Sequence, residues 1–148
     1  MGMFSAFNIN ASGMTAQRYR MDVISENVAN ANTTRTEDGT PYVRKVVSFA
    51  QKGDVGSFSR VLGEATRGYS GQGVKVEAVF EDTETQMNMV YDPSHPDADE
   101  NGYVTYPNVN IVTEMTNLID ASRAYEANAT AFNASKSIAL KGLQLTQQ

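Results

Sequence analysis

IVTEMTNLIDASRAYEANATAFNASKSIALKGL, residues 111–143, carries an apolar residue at every seventh position. Ile111, Leu118, Tyr125, Phe132 and Ala139 form one row, and Met115, Ala129 and Leu143 stand four residues after its members. The same spacing recurs at the other end of the chain in Phe7, Met14, Met21 and Val28, with Ala11 beside them. A period of 3.5 residues suits helices that wind around other helices rather than one lying on a broad core. Arg18, Ser25, Ser122 and Lys136 interrupt the rows. A two-stranded pair with such seams is weak alone, so the pattern predicts helices that need neighbours.

Pro107 blocks an earlier helix start, and Asn108 or Asn110 supplies an N-cap. No proline follows, and Gly142 is the only glycine, so a helix of about 36 residues, roughly 54 Å long, is expected. The N-terminal helix is expected over residues 5–31. Gly13 weakens it by about 1 kcal/mol, which favours a frayed start. Thr33-Thr34 and the turn Glu37-Asp38-Gly39-Thr40-Pro41 end it.

Strands are expected at Tyr42–Phe49, around Val74, Val76 and Val79-Phe80, and at Met87–Tyr91. Six of the eleven glycines fall between Gly53 and Gly73, which predicts a mobile loop with one short strand at Phe58–Leu62. The expected class is therefore α+β: an elongated chain whose terminal helices form a coiled-coil hairpin around a small β-rich, partly mobile centre. Its segments are residues 1–34, 35–106 and 107–148.

Charge follows that division. The terminal segments are each neutral, and the centre holds the whole net charge of −5. An acidic centre argues against nucleic acid, which is held by clustered Lys and Arg. Without cysteine there is neither a disulfide framework nor a thiolate site. No basic segment followed by an apolar run marks a secretory signal at Met1-Gly2-Met3-Phe4. No run approaches the ~18 apolar residues of a membrane span, so no direct membrane insertion is expected.

Site chemistry is sparse. His95 is the only histidine, so common zinc and nucleophile–base arrangements cannot be assembled. Glu81-Asp82 and Glu84 read as a solvated charge run, and Gly71-Gln72-Gly73 lacks the spacing and lysine of a phosphate loop. Asp97-Ala98-Asp99-Glu100-Asn101-Gly102 matches the first half of an EF-hand loop. Asn108 stands where the bidentate glutamate belongs, so an acidic solvent turn is the better reading. No enzyme site, cofactor or metal is expected.

Ser25-Glu26-Asn27-Val28-Ala29-Asn30-Ala31-Asn32-Thr33-Thr34 reads on composition alone as a helix C-terminus. Together with Ala11-Ser12-Gly13-Met14-Thr15-Ala16-Gln17-Arg18 and Met21-Asp22-Val23-Ile24, it also resembles the N-terminal signature of bacterial flagellar basal-body rod proteins. Arg35–Tyr42, Val90–Asp99, Gly102–Asn110 and Ala121–Asn128 look like the proximal-rod members of that family.

The resemblance implies a structural subunit that polymerises through its terminal helices. Its partners would be other rod subunits and further copies of itself. The flagellar type III export apparatus would deliver it to the periplasm without a cleaved signal. The apolar spacing makes Phe7, Met14, Met21, Val28, Ile111, Met115, Leu118, Tyr125, Phe132, Ala139 and Leu143 the expected assembly seam. The resemblance implies also a junction of Asn27, Asn30, Asn32 and Thr33 where the chain leaves the helix, with the three asparagines bonding backbone groups. The rival reading is a coiled-coil binding module with an acidic, calcium-responsive loop.

Overall fold

The computed structural model describes residues 3–52, 62 and 72–145. Among the described residues two long helices, α1 (Met3–Ala29) and α2 (Ile111–Leu145), enclose in sequence four strands: β1 (Lys45–Gln51), β2 (Val74–Glu81), β3 (Asn88–Tyr91) and β4 (Tyr103–Tyr106). The class is α+β. The glycine-rich stretch and the strand expected at Phe58–Leu62 lie outside the described residues, Leu62, Gln72 and Gly73 apart.

The strands form two separate two-stranded sheets, β1–β2 and β3–β4. In the first, Lys52 N–H donates to Gly73 O and Asp82 N–H donates to Arg44 O, the inverse order of an antiparallel pair. The second is antiparallel, pairing Asn88 with Tyr106 and Tyr91 with Tyr103. The strand at Tyr103–Tyr106 was not expected. It is four residues long, and its partner lies across an eleven-residue loop, so local pattern carries little of it.

Helix ends follow their caps. At the start of α2, Asn110 Oδ1 accepts Thr113 N–H at 3.2 Å, which fills one of the four unpaired donors of a helix start. Asn108, the other candidate cap, is engaged elsewhere. At the end of α1, Ala31 N–H bonds Val28 O and Thr33 N–H bonds Asn30 O, tightening the last turn before the chain leaves.

Contacts cluster into two compact units, each drawing on both helices. Unit 1 comprises Met1–Arg18, Phe49–Glu77 and Ser122–Gln148; unit 2 comprises Tyr19–Ser48 and Ala78–Ala121. In unit 1 the helices run antiparallel, with Phe7 edge-on to Phe132 at 5.0 Å between ring centres and Gly13 opposite Asn128. A Cβ on Gly13 would stand 2.7 Å from Asn128 Oδ1, so this mid-helix glycine lets the helices approach. Ser12 Oγ donates to Ile9 O at 2.7 Å and accepts Val74 N–H at 3.1 Å, tying α1 to β2. Gly73 makes that tie possible, because its φ is +91° and any Cβ there would collide with Ser12 Oγ.

Unit 2 holds most of the buried apolar residues. Val23 and Ile24 of α1, Ala31, Tyr42, Val104 of β4, Val109 and Ala121 of α2 are all buried. The β3–β4 connection is shaped by Asp99, whose Oδ1 accepts the N–H groups of Asn101 and Tyr103, and by Gly102 at φ +81°.

Candidate functional site

The last turns of α1 bring Asn27 to a position with no solvent exposure, between the start of β1 and the first turn of α2. Its Oδ1 accepts Tyr42 O–H at 2.8 Å and Lys45 N–H at 2.9 Å. Its Nδ2 donates to Lys45 O at 2.8 Å and to Glu114 Oε2 at 3.1 Å. All four hydrogen-bonding positions of the amide are filled, two of them by the backbone of one strand residue. Because the side chain mimics a neighbouring strand at Lys45, it sets where β1 begins relative to α1.

Glu114 is the larger surprise. Its side chain is 1% exposed, and a buried carboxylate is tolerable only when paired and hydrogen-bonded. Arg44 supplies the pair, with Nε at 2.9 Å and Nη2 at 2.8 Å from Oε1. Position in the first turn of α2 adds the favourable field of the helix N-terminus. Arg44 Nη1 also reaches Asp82 Oδ2 at 3.3 Å, and Arg44 N–H donates to Asn108 Oδ1 at 2.9 Å. Asn108 completes the ring by donating Nδ2 to the backbone oxygens of Asp82 and Thr85.

The electrostatics agree with that wiring. Burial would depress the Arg44 guanidinium, but bonding to Glu114 and its charge, then Asp82, outweigh this and raise its pKa. Asp82 is held below the usual carboxylate range, first by Thr85 N–H and the Thr85 hydroxyl, with Arg44 adding to them. Burial, then the charges of Glu26, Glu114 and Glu81, push the Tyr42 phenol up to about 12. Tyr42 therefore remains protonated, as a donor to Asn27 must.

The residues of the sequence-derived junction have separate fates. Asn27 bonds the Lys45 backbone, while Asn30 Nδ2 bonds Glu26 O in its own helix and its Oδ1 accepts the Thr33 hydroxyl. Thr33 O accepts Tyr42 N–H, and Asn32 is exposed. Tyr42, Arg44, Asp82, Asn108 and Glu114 were missed. Asp82 is not part of a solvated charge run, because Arg44 and the Asp82–Thr85 turn draw its carboxylate in. The one available signal for Glu114 was its register: it lies seven residues before Ala121.

That register reorganises the seam. Along α2 the residues withdrawn from solvent centre on Glu114, Leu118, Ala121, Tyr125, Asn128, Phe132, Ser135 and Ala139, spaced alternately by four and three, with Asn117, Ser122, Ala124 and Ala129 half-buried beside them. The row Leu118, Tyr125, Phe132, Ala139 turns inward, whereas Ile111, Met115 and Leu143 are exposed and Ala129 is half-buried. Glu114, Ala121, Asn128 and Ser135 fill the second inward row. Hydrophobicity alone skips them because they are charged, small or polar. On α1 the seam residues Phe7, Met14, Met21 and Val28 are half-buried, and the most withdrawn positions are Gly13, Ala16, Val23, Ile24 and Asn27.

Large apolar side chains also stand exposed along α2, some opposite the inward rows and others, such as Ile111 and Leu143, continuing them at the helix ends. In unit 2, Ile111, Val112, Met115 and Ile119 are 44–74% exposed; in unit 1, Ile138, Leu140, Leu143 and Leu145 are 52–76% exposed. Single exposed apolar residues are ordinary; here four stand in each unit on one 35-residue helix.

Elsewhere the polar groups serve local structure. Asp97 accepts the Thr34 hydroxyl at 2.8 Å and faces Arg35 at 3.6 Å, and His95 Nδ1 accepts Asp97 N–H. Among the described residues no three acidic, histidine or cysteine side chains converge on a metal position. No described helix is long and apolar enough to cross a membrane.

Known proteins give this geometry a context. Residues 7–35 match the family described as "Flagella basal body rod protein", and residues 100–145 match "Flagellar basal body rod FlgEFG protein C-terminal". The flagellar basal-body rod protein FlgC of Bacillus subtilis is 46% identical over 151 residues, covering 98% of this chain and 99% of the relative. FlgC of Borreliella burgdorferi is 44% identical, covering 99% of each chain. FlgC of Salmonella typhimurium is 40% identical over 99% of this chain and all of its own length.

Proposed function

The chain belongs to the FlgC family of flagellar basal-body rod proteins, and from that premise we propose that it builds the proximal rod by lending the exposed apolar side chains of α2 to neighbouring subunits. It is a structural subunit of the basal-body rod and not an enzyme. The observation that supports the assembly reading is the set of eight large apolar side chains on α2, 44–76% exposed in the single chain. Covering one such side chain stabilises by about 1.5–3 kcal/mol, so a helix with eight has strong reason to associate.

The neighbours are other rod subunits and further copies of this chain. Delivery through the flagellar type III export apparatus and a periplasmic position in the assembled rod complete the reading; family membership supports both. The buried Asn27–Arg44–Glu114 junction then serves as the internal brace that presents α2 in one register.

Burial separates assembly from folding. Val112→Asp and Ile138→Asp alter side chains that are 74% and 70% exposed, so the free chain should keep its stability to within about 0.5 kcal/mol. Complete basal bodies and swimming should be lost, with export unchanged. Phe132→Asp should instead unfold the chain, because it buries a charge against Phe7. Normal basal bodies from Val112→Asp and Ile138→Asp cells would overturn this assignment.

A further inference from the structure

The two compact units have opposite charge. Unit 2 contains thirteen acidic and four basic residues, a net of −9, and between Ala78 and Ala121 there are nine acids and no base. Unit 1 contains eight basic and four acidic residues, a net of +4. The two values sum to the −5 of the whole chain, so the modest overall charge conceals an uneven division between the units.

Internal pairing does not remove the excess in unit 2. The four described ion pairs join Arg35 to Asp97, Arg44 to Asp82, Arg44 to Glu114 and Lys45 to Glu26, all inside unit 2. They occupy three of its four bases and leave the exposed carboxylates of Glu81, Glu84 and Glu100 outside any of them. In unit 1, Arg123, Lys136 and Lys141 project from exposed positions on α2 and join none of these pairs. The same unit also exposes apolar side chains: Met89, Val90, Tyr91 and Tyr103 of the β3–β4 sheet are 42–64% exposed.

We infer that copies of this chain associate through unlike surfaces, the acidic sheet-bearing surface of one copy receiving the basic α2 surface of a second. This rests on the self-assembly proposed above and adds its polarity. A patch with one sign of charge repels its own copy, which disfavours a two-fold contact of like with like. A contact between unlike patches is heterologous, and such contacts propagate into rings or open helical assemblies rather than closed dimers. Charge complementarity of this kind acts mainly on encounter rate, by about 10- to 1000-fold at low salt.

The test uses the full chain and light scattering at two ionic strengths. From about 0.01 M to about 1 M the screening length falls from ~30 Å to ~3 Å, so association of the unaltered chain should slow at least about tenfold. The triple substitution Glu81→Lys, Glu84→Lys, Glu100→Lys should slow association at low salt by about tenfold or more, and so should Arg123→Glu, Lys136→Glu, Lys141→Glu. An equal mixture of the two should recover the original rate, because each altered surface then meets its complement. Circular dichroism checks that both variants keep their fold, as charge exchanges at exposed positions on a helix, in loops and at the end of β2 allow. Salt-insensitive association, or a mixture no faster than its components, overturns the polarity and leaves apolar self-assembly standing. An unaltered chain that never associates overturns both.

Discussion

Removing the Glu114 carboxylate should be among the costliest single changes in unit 2, and the reason is the cation it leaves behind. In Glu114→Ala, Arg44 loses both bonds to Oε1, at 2.8 and 2.9 Å, and retains one long contact of 3.3 Å to Asp82. Breaking a buried pair from one side costs about 3–5 kcal/mol. The Arg44 side chain is 23% exposed and Asp82 remains, so the lower end, about 3 kcal/mol, is expected. Asn27 adds little, since its Nδ2 keeps Lys45 O. Glu114→Gln retains an acceptor of the same shape and should cost only about 1.5–2 kcal/mol, the difference between a charged and a neutral partner. Glu114→Leu combined with Arg44→Met removes both charges and should recover most of the loss. Urea unfolding followed by tyrosine fluorescence reads the series. With a slope of ~1–3 kcal/mol/M, Glu114→Ala should lower the midpoint by about 1–3 M. Equal midpoints for the Ala and Gln variants, both within about 0.5 kcal/mol of the parent, would refute the buried-charge account of the junction.

Further outcomes follow from the same geometry. Asp82 has a depressed pKa, so its stabilisation is present above the ordinary value near ~4 and is lost as pH falls through the lower folded value; acid titration of stability should be shallower in Asp82→Asn. Tyr42 has the opposite sign: with its phenol raised to about 12, stability is full below about 10 and falls as pH rises through 12. Tyr42→Phe should cost about 1 kcal/mol at neutral pH through the lost bond to Asn27 and should flatten that alkaline fall. Gly73→Ala should destabilise by about 1–3 kcal/mol, because φ +91° and the Ser12 hydroxyl both exclude a Cβ; thermal unfolding checks it.

The two long helices and three of the four strands are legible in residue order because their cues are local: heptad spacing, Pro107, Asn caps and β-branched runs. What stays hidden depends on partners far along the chain. Tyr103–Tyr106 becomes a strand only through its register with Asn88–Tyr91. The Asn27 cluster of asparagines reads as a helix end, but its use as a brace requires Lys45 and Glu114, eighteen and eighty-seven residues away. Apolar spacing groups Leu118, Tyr125 and Phe132, half-buried in the single chain, with Ile111, Met115 and Leu143, which are exposed there. The inward companions are Glu114, Ala121, Asn128 and Ser135, chosen for closeness and bonding rather than hydrophobicity. Large side chains left over by that choice are exposed in the lone chain, and the proposed assembly would cover them.

A thiol placed among those exposed side chains tests the central claim most directly. The chain has no cysteine, so Val112→Cys introduces a single reporter at a position 74% exposed. Reaction with a maleimide is measured on the free chain, on intact basal bodies and on the same basal bodies after dissociation. The account predicts rapid labelling of the free and dissociated chain and strong protection in the intact structure. Equal labelling in all three would contradict it, because this exposed position on α2 would then remain uncovered in the assembled rod.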